Sequence, residues 1–183
     1  MSLLKNMSLV VISPAAGWDD IDKSGYSAAT VLSGLYYPLL ALMSVSCFCA
    51  MLYDQTVTLS VSVMRAVIAF VSYFIAYYAV VFLIDCLFPG ETHGKVAKAR
   101  CCNYVAYILA FLVILETLLN VLQQFPPMNF FRIYAYVIAF RGLGFVRVEK
   151  EVRTKFLLVC GTLLITVPIA LSKLLGAIIV VNN

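Results

Sequence analysis

The sequence predicts an all-α membrane protein, a bundle of five transmembrane helices preceded by a short amphipathic surface helix. Of its 183 residues, 63% are hydrophobic and only 12% are charged, whereas soluble domains are about 45–50% apolar and about 25% charged. A soluble protein covers its surface with polar atoms, and so few charged side chains cannot do this. Long uncharged stretches between short charged segments indicate that lipid surrounds most of the chain.

Five stretches are long enough to cross a hydrocarbon core of about 30 Å, which needs about 20 residues of helix. Tyrosines stand near both ends of the first stretch, as the membrane interface favours. The second stretch extends back towards Leu59, Pro126 and Pro127 end the third, and the fourth is interrupted by Arg132 and Arg141. We expect spans at about 32–53, 62–85, 101–123, 128–146 and 156–181.

Basic residues predict the orientation, because Lys and Arg in short loops stay in the cytoplasm. The side opposite the N-terminus has only Arg65, Arg132 and Lys173, all near helix ends. We therefore expect a cytoplasmic N-terminus and an outside C-terminus, with basic loops that attract anionic lipid headgroups. Nothing resembles the contiguous basic face of a nucleic-acid-binding protein. The cytoplasmic set has nine members, namely Lys5, Lys23, Lys95, Lys98, Arg100, Arg147, Lys150, Arg153 and Lys155.

Residues 1–30 form a cytoplasmic segment ahead of the membrane domain 31–183. Ser13 is a suitable N-cap for a helix that has Pro14 at its first position. Trp18 and Ile21 are three residues apart and share a face of that helix. We expect the helix to lie on the cytoplasmic membrane surface with Trp18 as its interfacial anchor; the alternative is a loosely ordered tail.

Two regions resemble the Yip family of membrane proteins (Ypt/Rab-interacting proteins), and in particular its compact bacterial members. The sequence I-S-P-A-A-G-W-D-D-I from Ile12 to Ile21, with tryptophan four residues after proline just before the first span, resembles the opening of that family. Residues 133–143, the short basic loop 148–155 and a last long span are similar to the family's fourth and fifth helices. The resemblance covers most of the chain, from about Leu9 to Val181.

The resemblance implies a five-helix plan with a cytoplasmic N-terminus and residence in a bacterial inner membrane. It also implies a non-enzymatic role in membrane organisation or scaffolding, with membrane-protein partners or a homo-oligomer. Eukaryotic members of the family are implicated in vesicle trafficking and in Rab GTPase binding, and they carry longer cytosolic N-terminal regions than residues 1–30 provide here.

Ionisable groups inside the membrane are costly unless they are paired or hydrated, so they indicate functional sites. Glu116 lies about 22 Å along the third helix from Cys101, and Lys173 about 27 Å beyond Lys155. Arg132 lies one turn into the fourth helix from the opposite end, so the three charges fall at a similar depth, with Asn120 one turn from Glu116. One reading is a polar, outward-facing cavity of a transporter or channel for small solutes or ions; the other is a structural ion pair with snorkelling side chains.

Arg141 lies about 9 Å from the cytoplasmic end of the fourth helix. We expect it to serve as a structural anchor, either by snorkelling to the inner headgroups or by pairing with Asp85. Gly142 and Gly144 would allow a kink beside it.

The residues of common catalytic and metal sites are missing from the sequence. His93 is the single histidine, and none of the six cysteines forms a C-x-x-C pair, so we expect no metal, no cofactor, no catalytic residues and no enzymatic activity.

Overall fold

The computed structural model describes residues 2–122 and 126–181, with side chains over 2–122 and 129–178. These residues are helical, with no strand among them. Seven α-helices follow one another in the described ranges, and a 3₁₀ helix at Pro126–Ile133 precedes the sixth. They are α1 (Leu3–Ile12), α2 (Pro14–Ser24), α3 (Ala28–Tyr53), α4 (Leu59–Leu87), α5 (Lys95–Val121), α6 (Tyr134–Val146) and α7 (Arg153–Val181).

Four of the described helices, α3, α4, α5 and α7, are long and apolar enough to cross a membrane. This confirms the membrane class. The stretch expected as the fourth span, 128–146, is divided between the 3₁₀ helix and α6, and α6 has only 13 residues. An α-helix of that length covers about 20 Å, so the count of five spans is not confirmed.

The long helices extend beyond the apolar stretches that predict them. Thr58 caps α4, since its hydroxyl accepts a 3.4 Å hydrogen bond from the backbone N–H of Val61. Before that cap, the link from α3 turns at Asp54, whose carboxylate accepts hydrogen bonds from the side chain and backbone N–H of Thr56. These bonds favour the ionised form and hold the pKa of Asp54 below its usual value. At the other end of the bundle, α5 begins at Lys95. Its charged first turns therefore lie before the apolar stretch that predicts the span.

The core is built around α5, which is the most deeply buried of the four long helices, while α7 is the least buried. Helix α5 contacts α3, α4, α6 and α7, and α7 packs mainly along α4. Helix α3 widens to a π-turn at Leu32–Tyr36 just before Pro38 and tightens to a 3₁₀ turn at Cys47–Cys49. Pro38 has no N–H to donate, which explains an irregular turn at this place.

The N-terminal helices pack against the bundle, which corrects the expectation that Trp18 anchors in lipid. Pro14 begins α2 as expected, although Ser13 makes no side-chain capping bond. Trp18 and Ile21 are only 2% and 3% exposed. The indole lies between α5 and α6, where its N–H donates a 3.0 Å hydrogen bond to the carbonyl of Ile138. Burial wins over interfacial exposure because this protein cleft satisfies both the apolar rings and the N–H.

Glycines make this close docking possible. A Cβ atom on Gly17 would lie 2.5 Å from the backbone nitrogen of Val10, so α1 and α2 touch backbone to backbone. A Cβ atom on Gly142 would lie 2.7 Å from the rings of both Trp18 and Tyr104. Helix α6 continues through Gly142 and Gly144, so the first of these glycines serves packing rather than the expected kink.

The expected pair of Arg141 and Asp85 is not formed. The Asp85 carboxylate instead pairs with Lys98 at 2.8 Å and accepts a 2.6 Å hydrogen bond from the hydroxyl of Thr92. These partners follow closely in the chain, in the α4–α5 link and the first turns of α5, and they occupy both oxygens. Arg141 is exposed on α6, and it makes no ion pair with the residues that the structure describes.

Candidate functional site

Charged side chains from four segments come together near one end of the bundle. Arg65 lies about 9 Å into α4, counted from Leu59 at 1.5 Å per residue. Glu116 lies about 8 Å before α5 ends at Val121. The chain reverses direction between successive long helices, so the start of α4 and the end of α5 lie on the same side. Lys173, about 12 Å before the end of α7, shares this level.

These side chains line a cavity of about 350 Å³, a volume in the range of small-molecule sites. The cavity is half-open, and its walls are mostly apolar. All four residues of the expected polar cluster, Glu116, Arg132, Lys173 and Asn120, lie in its lining. The remaining lining residues are Met43, Cys47, Ala50, Arg65, Ile68, Ala69, Tyr73, Pro168, Ile169 and Ser172.

Glu116 and Arg132 form an ion pair between α5 and the 3₁₀ helix. The Arg132 guanidinium donates a hydrogen bond to Oε1 of Glu116, and the hydroxyl of Tyr73 on α4 donates a longer one of 3.3 Å to the same oxygen. The Arg132 side chain is 26% exposed and the Glu116 side chain is 22% exposed. The sequence offers Glu116 two possible partners, which are Arg132 and Lys173. In the structure Glu116 pairs with Arg132.

Asn120 makes a second polar link one turn further along α5. Its amide donates a 2.9 Å hydrogen bond to the hydroxyl of Ser46 on α3, and the same nitrogen lies 3.6 Å from the sulfur of Cys47. Ser46 donates in turn to the carbonyl of Met43 at 2.6 Å. Asn120 therefore links α5 to α3 in the lining of the cavity.

Arg65 is the one charged residue of the cavity lining that does not belong to the expected polar cluster. In the sequence it is only one of three basic residues near helix ends, on the side expected to lie opposite the basic loops. Arg65 lies about two turns inside α4, so its depth in the membrane is similar to that of Glu116, Arg132 and Lys173. All three cations of that side therefore line one cavity.

The cavity lining carries more positive than negative charge. It has three cations, Arg65, Arg132 and Lys173, and one carboxylate, Glu116. Among the described residues, Arg132 is the only one of these cations in an ion pair. The Nε atom of Arg132 is buried without a hydrogen-bond acceptor in the same described part of the chain.

Within the described residues, the cavity offers charged and hydrogen-bonding side chains rather than a cluster of metal ligands. Across residues 2–122 and 126–181, no three His, Cys, Asp or Glu side chains come close enough to hold a metal ion. Cys47 in the cavity lining is a free thiol. The arrangement is suited to binding by charge and hydrogen bonding.

No family model, curated protein or solved structure matches the chain, so the resemblance to the Yip family stays a prediction.

Proposed function

We propose that the chain is a five-span membrane protein that binds a small solute in this cavity, as a transporter or channel does. The single observation that carries the proposal is that the three cations expected on one side of the membrane line one cavity with Glu116. A purely structural ion pair needs only Glu116 and Arg132. Snorkelling would account for Arg65 and Lys173 one by one, but not for their place with Glu116 and Arg132 around one cavity. Polar groups gathered within a membrane bundle commonly mark a solute pathway.

The five-span topology is part of the proposal. The 3₁₀ helix Pro126–Ile133 has eight residues and α6 has 13. At about 2.0 Å and 1.5 Å per residue they measure about 35 Å together, which is enough to cross the hydrocarbon core. The N-terminus is then cytoplasmic, the C-terminus lies outside, and the cavity faces outward, in a bacterial inner membrane.

A second candidate function is the scaffolding role that the Yip resemblance implies. The supporting observation is that α1 and α2 are held in a fixed position beside the basic loops. Asp22 on α2 pairs with Arg100 on α5 at 3.1 Å, and Trp18 docks α2 between α5 and α6. This end would present a defined surface to anionic lipid headgroups or to a partner membrane protein.

Water access to the cavity tests the solute-binding proposal, because a solute site must be reached from water and a dry ion pair need not be. Ser172 lines the cavity, while Leu174, two residues on in α7, is 57% exposed outside it. Ser172→Cys and Leu174→Cys are made in a chain whose six native cysteines are replaced by alanine. Both are reconstituted in sealed vesicles and treated with a membrane-impermeant methanethiosulfonate reagent.

The Ser172→Cys variant is expected to react from one side only and the Leu174→Cys variant not to react, since lipid covers that position. A Lys150→Cys variant in the basic loop is expected to react from the opposite side, which tests the orientation. Equal reactivity at positions 172 and 174, or protection of both, would refute the solute-binding proposal.

A further inference from the structure

We infer that the cavity binds an oxyanion, a phosphate or carboxylate group attached to an apolar part. This inference rests on the proposed solute-binding function and names the class of its ligand. Two sources supply the same chemistry, the headgroup of an anionic lipid and a free anion in solution.

The charge of the cavity lining favours an anionic ligand. The Glu116 carboxylate is engaged by Arg132 and Tyr73. Arg65 and Lys173 have no carboxylate partner among the described residues, although both line the same cavity. A bound anion would neutralise this excess positive charge, which is costly at the depth of a membrane span. A cation would meet only a carboxylate that is already paired.

The hydrogen-bond donors of the cavity cations favour a ligand with acceptor oxygens. A guanidinium has five N–H donors in a planar fork that matches the oxygens of phosphate and carboxylate groups, and an ammonium adds a compact charge with three donors. Arg132 uses one nitrogen on Glu116, and its Nε–H is buried. Its side chain is 26% exposed, so its remaining donors, together with those of Arg65 and Lys173, can face the oxygens of an oxyanion in the cavity.

The apolar walls narrow the class further. Met43, Ile68, Pro168 and Ile169 line the cavity beside the cations. A fully hydrated inorganic ion gains nothing from such walls, whereas an alkyl or acyl group next to the charge is removed from water or remains in lipid. The cavity therefore fits a molecule with one charged oxyanion end and an apolar body.

Ligand-induced stabilisation tests the inference, since a ligand that binds the folded state raises the Tm. The purified protein in a neutral maltoside detergent is titrated with octanoate at constant ionic strength. In a parallel arm, phosphatidylglycerol or the zwitterionic phosphatidylcholine is added to the same micelles. A saturable rise in Tm with octanoate identifies a free anion as a ligand. A rise with phosphatidylglycerol and not phosphatidylcholine that is reduced in the Lys173→Met variant identifies an anionic lipid in the cavity, because binding at the basic loops would persist in that variant.

Two lysines on α7 provide a matched pair of variants. Lys173→Met removes a cavity charge and keeps an apolar stem, and Lys155→Met removes an exposed charge near the start of the same helix, outside the cavity. Loss of one charged donor is expected to weaken the apparent Kd for octanoate about tenfold for Lys173→Met and to leave the octanoate Kd unchanged for Lys155→Met. Arg65→Gln serves as the second cavity variant if Lys173→Met does not fold.

No Tm shift in either arm would overturn the inference, as would equal Kd values for the Lys173→Met and Lys155→Met variants. Reaction of the Ser172→Cys variant distinguishes a failure of the oxyanion inference from a failure of the solute-binding proposal. If it reacts from water but no anion stabilises the protein, the oxyanion class is wrong and the solute cavity stands. If it does not react, the proposed function itself fails.

Discussion

Replacement of Trp18 by alanine should release the N-terminal helices from the bundle. The indole is 2% exposed and lies 5.5 Å from the ring of Tyr104 and 5.2 Å from that of Phe145, between ring centres. Its N–H donates to the Ile138 carbonyl at 3.0 Å. It is therefore the main apolar contact that holds α2 against α5 and α6.

The size of the effect follows from these contacts. A buried Trp→Ala change costs about 3–5 kcal/mol, including the cavity that remains. The lost hydrogen bond contributes about 1 kcal/mol within that total. Since about 1.4 kcal/mol is a factor of ten, the equilibrium constant for undocking of residues 3–24 should rise by about two to four orders of magnitude. Trp18→Phe, which keeps one aromatic ring, should give a smaller rise.

Amide hydrogen exchange measures this undocking directly, because exchange of α1 and α2 reports local opening. Residues 3–24 should exchange much faster in the Trp18→Ala protein than in the wild type, while α5 keeps its protection. Ile12→Ala is the control, since Ile12 is 80% exposed and its loss should change little. Because Trp18 is the single tryptophan, its fluorescence offers a second readout. Unchanged exchange in the Trp18→Ala protein, with strong quenching of wild-type fluorescence by brominated lipid, would refute the docking and restore the interfacial anchor.

Two further substitutions have definite expected results. Gly142→Ala should destabilise the protein by about 1–3 kcal/mol through overpacking, because the new Cβ would lie 2.7 Å from the Trp18 ring. Gly144→Ala is the control: a Cβ at this position has nothing within 4 Å, so this change should be neutral or stabilising. A comparison of the Tm values of the two variants checks this. Asp85→Asn should leave the Tm almost unchanged and abolish any salt dependence from the pair with Lys98, since exposed ion pairs contribute little; a large loss of stability would contradict this assignment.

The membrane class and the depth of the polar side chains could be predicted from the sequence. Helix rise converts residue counts into depth, so Glu116, Arg132 and Lys173 could be placed at one level without a structure. The same arithmetic applies to Arg65, although in the sequence it stands out only as a basic residue near a helix end. Whether residues at one level meet depends on how each helix is rotated, and the nearly uniform apolar surface of these helices gives little signal for rotation.

The position of Trp18 could not be predicted because its environment depends on residues far along the chain. A proline, a tryptophan and an isoleucine at helical spacing suit a membrane surface and a protein cleft equally well. The cleft exists only because Gly142 on α6 leaves room for the indole. The partner of Asp85 was missed for a related reason, since Lys98 reaches it only after α5 begins earlier than the apolar pattern indicates.

Charged side chains from separate segments meet in one cavity, and a double-mutant cycle on Glu116 and Arg132 tests this arrangement most directly. Thermal or denaturant unfolding is measured for wild type, Glu116→Gln, Arg132→Gln and the double variant in the same detergent. If the ion pair forms as described, the two substitutions should couple by about 1–3 kcal/mol, with the double variant more stable than the sum of the single effects allows. Strictly additive effects would contradict the contact between α5 and the 3₁₀ helix that places both charges at the cavity.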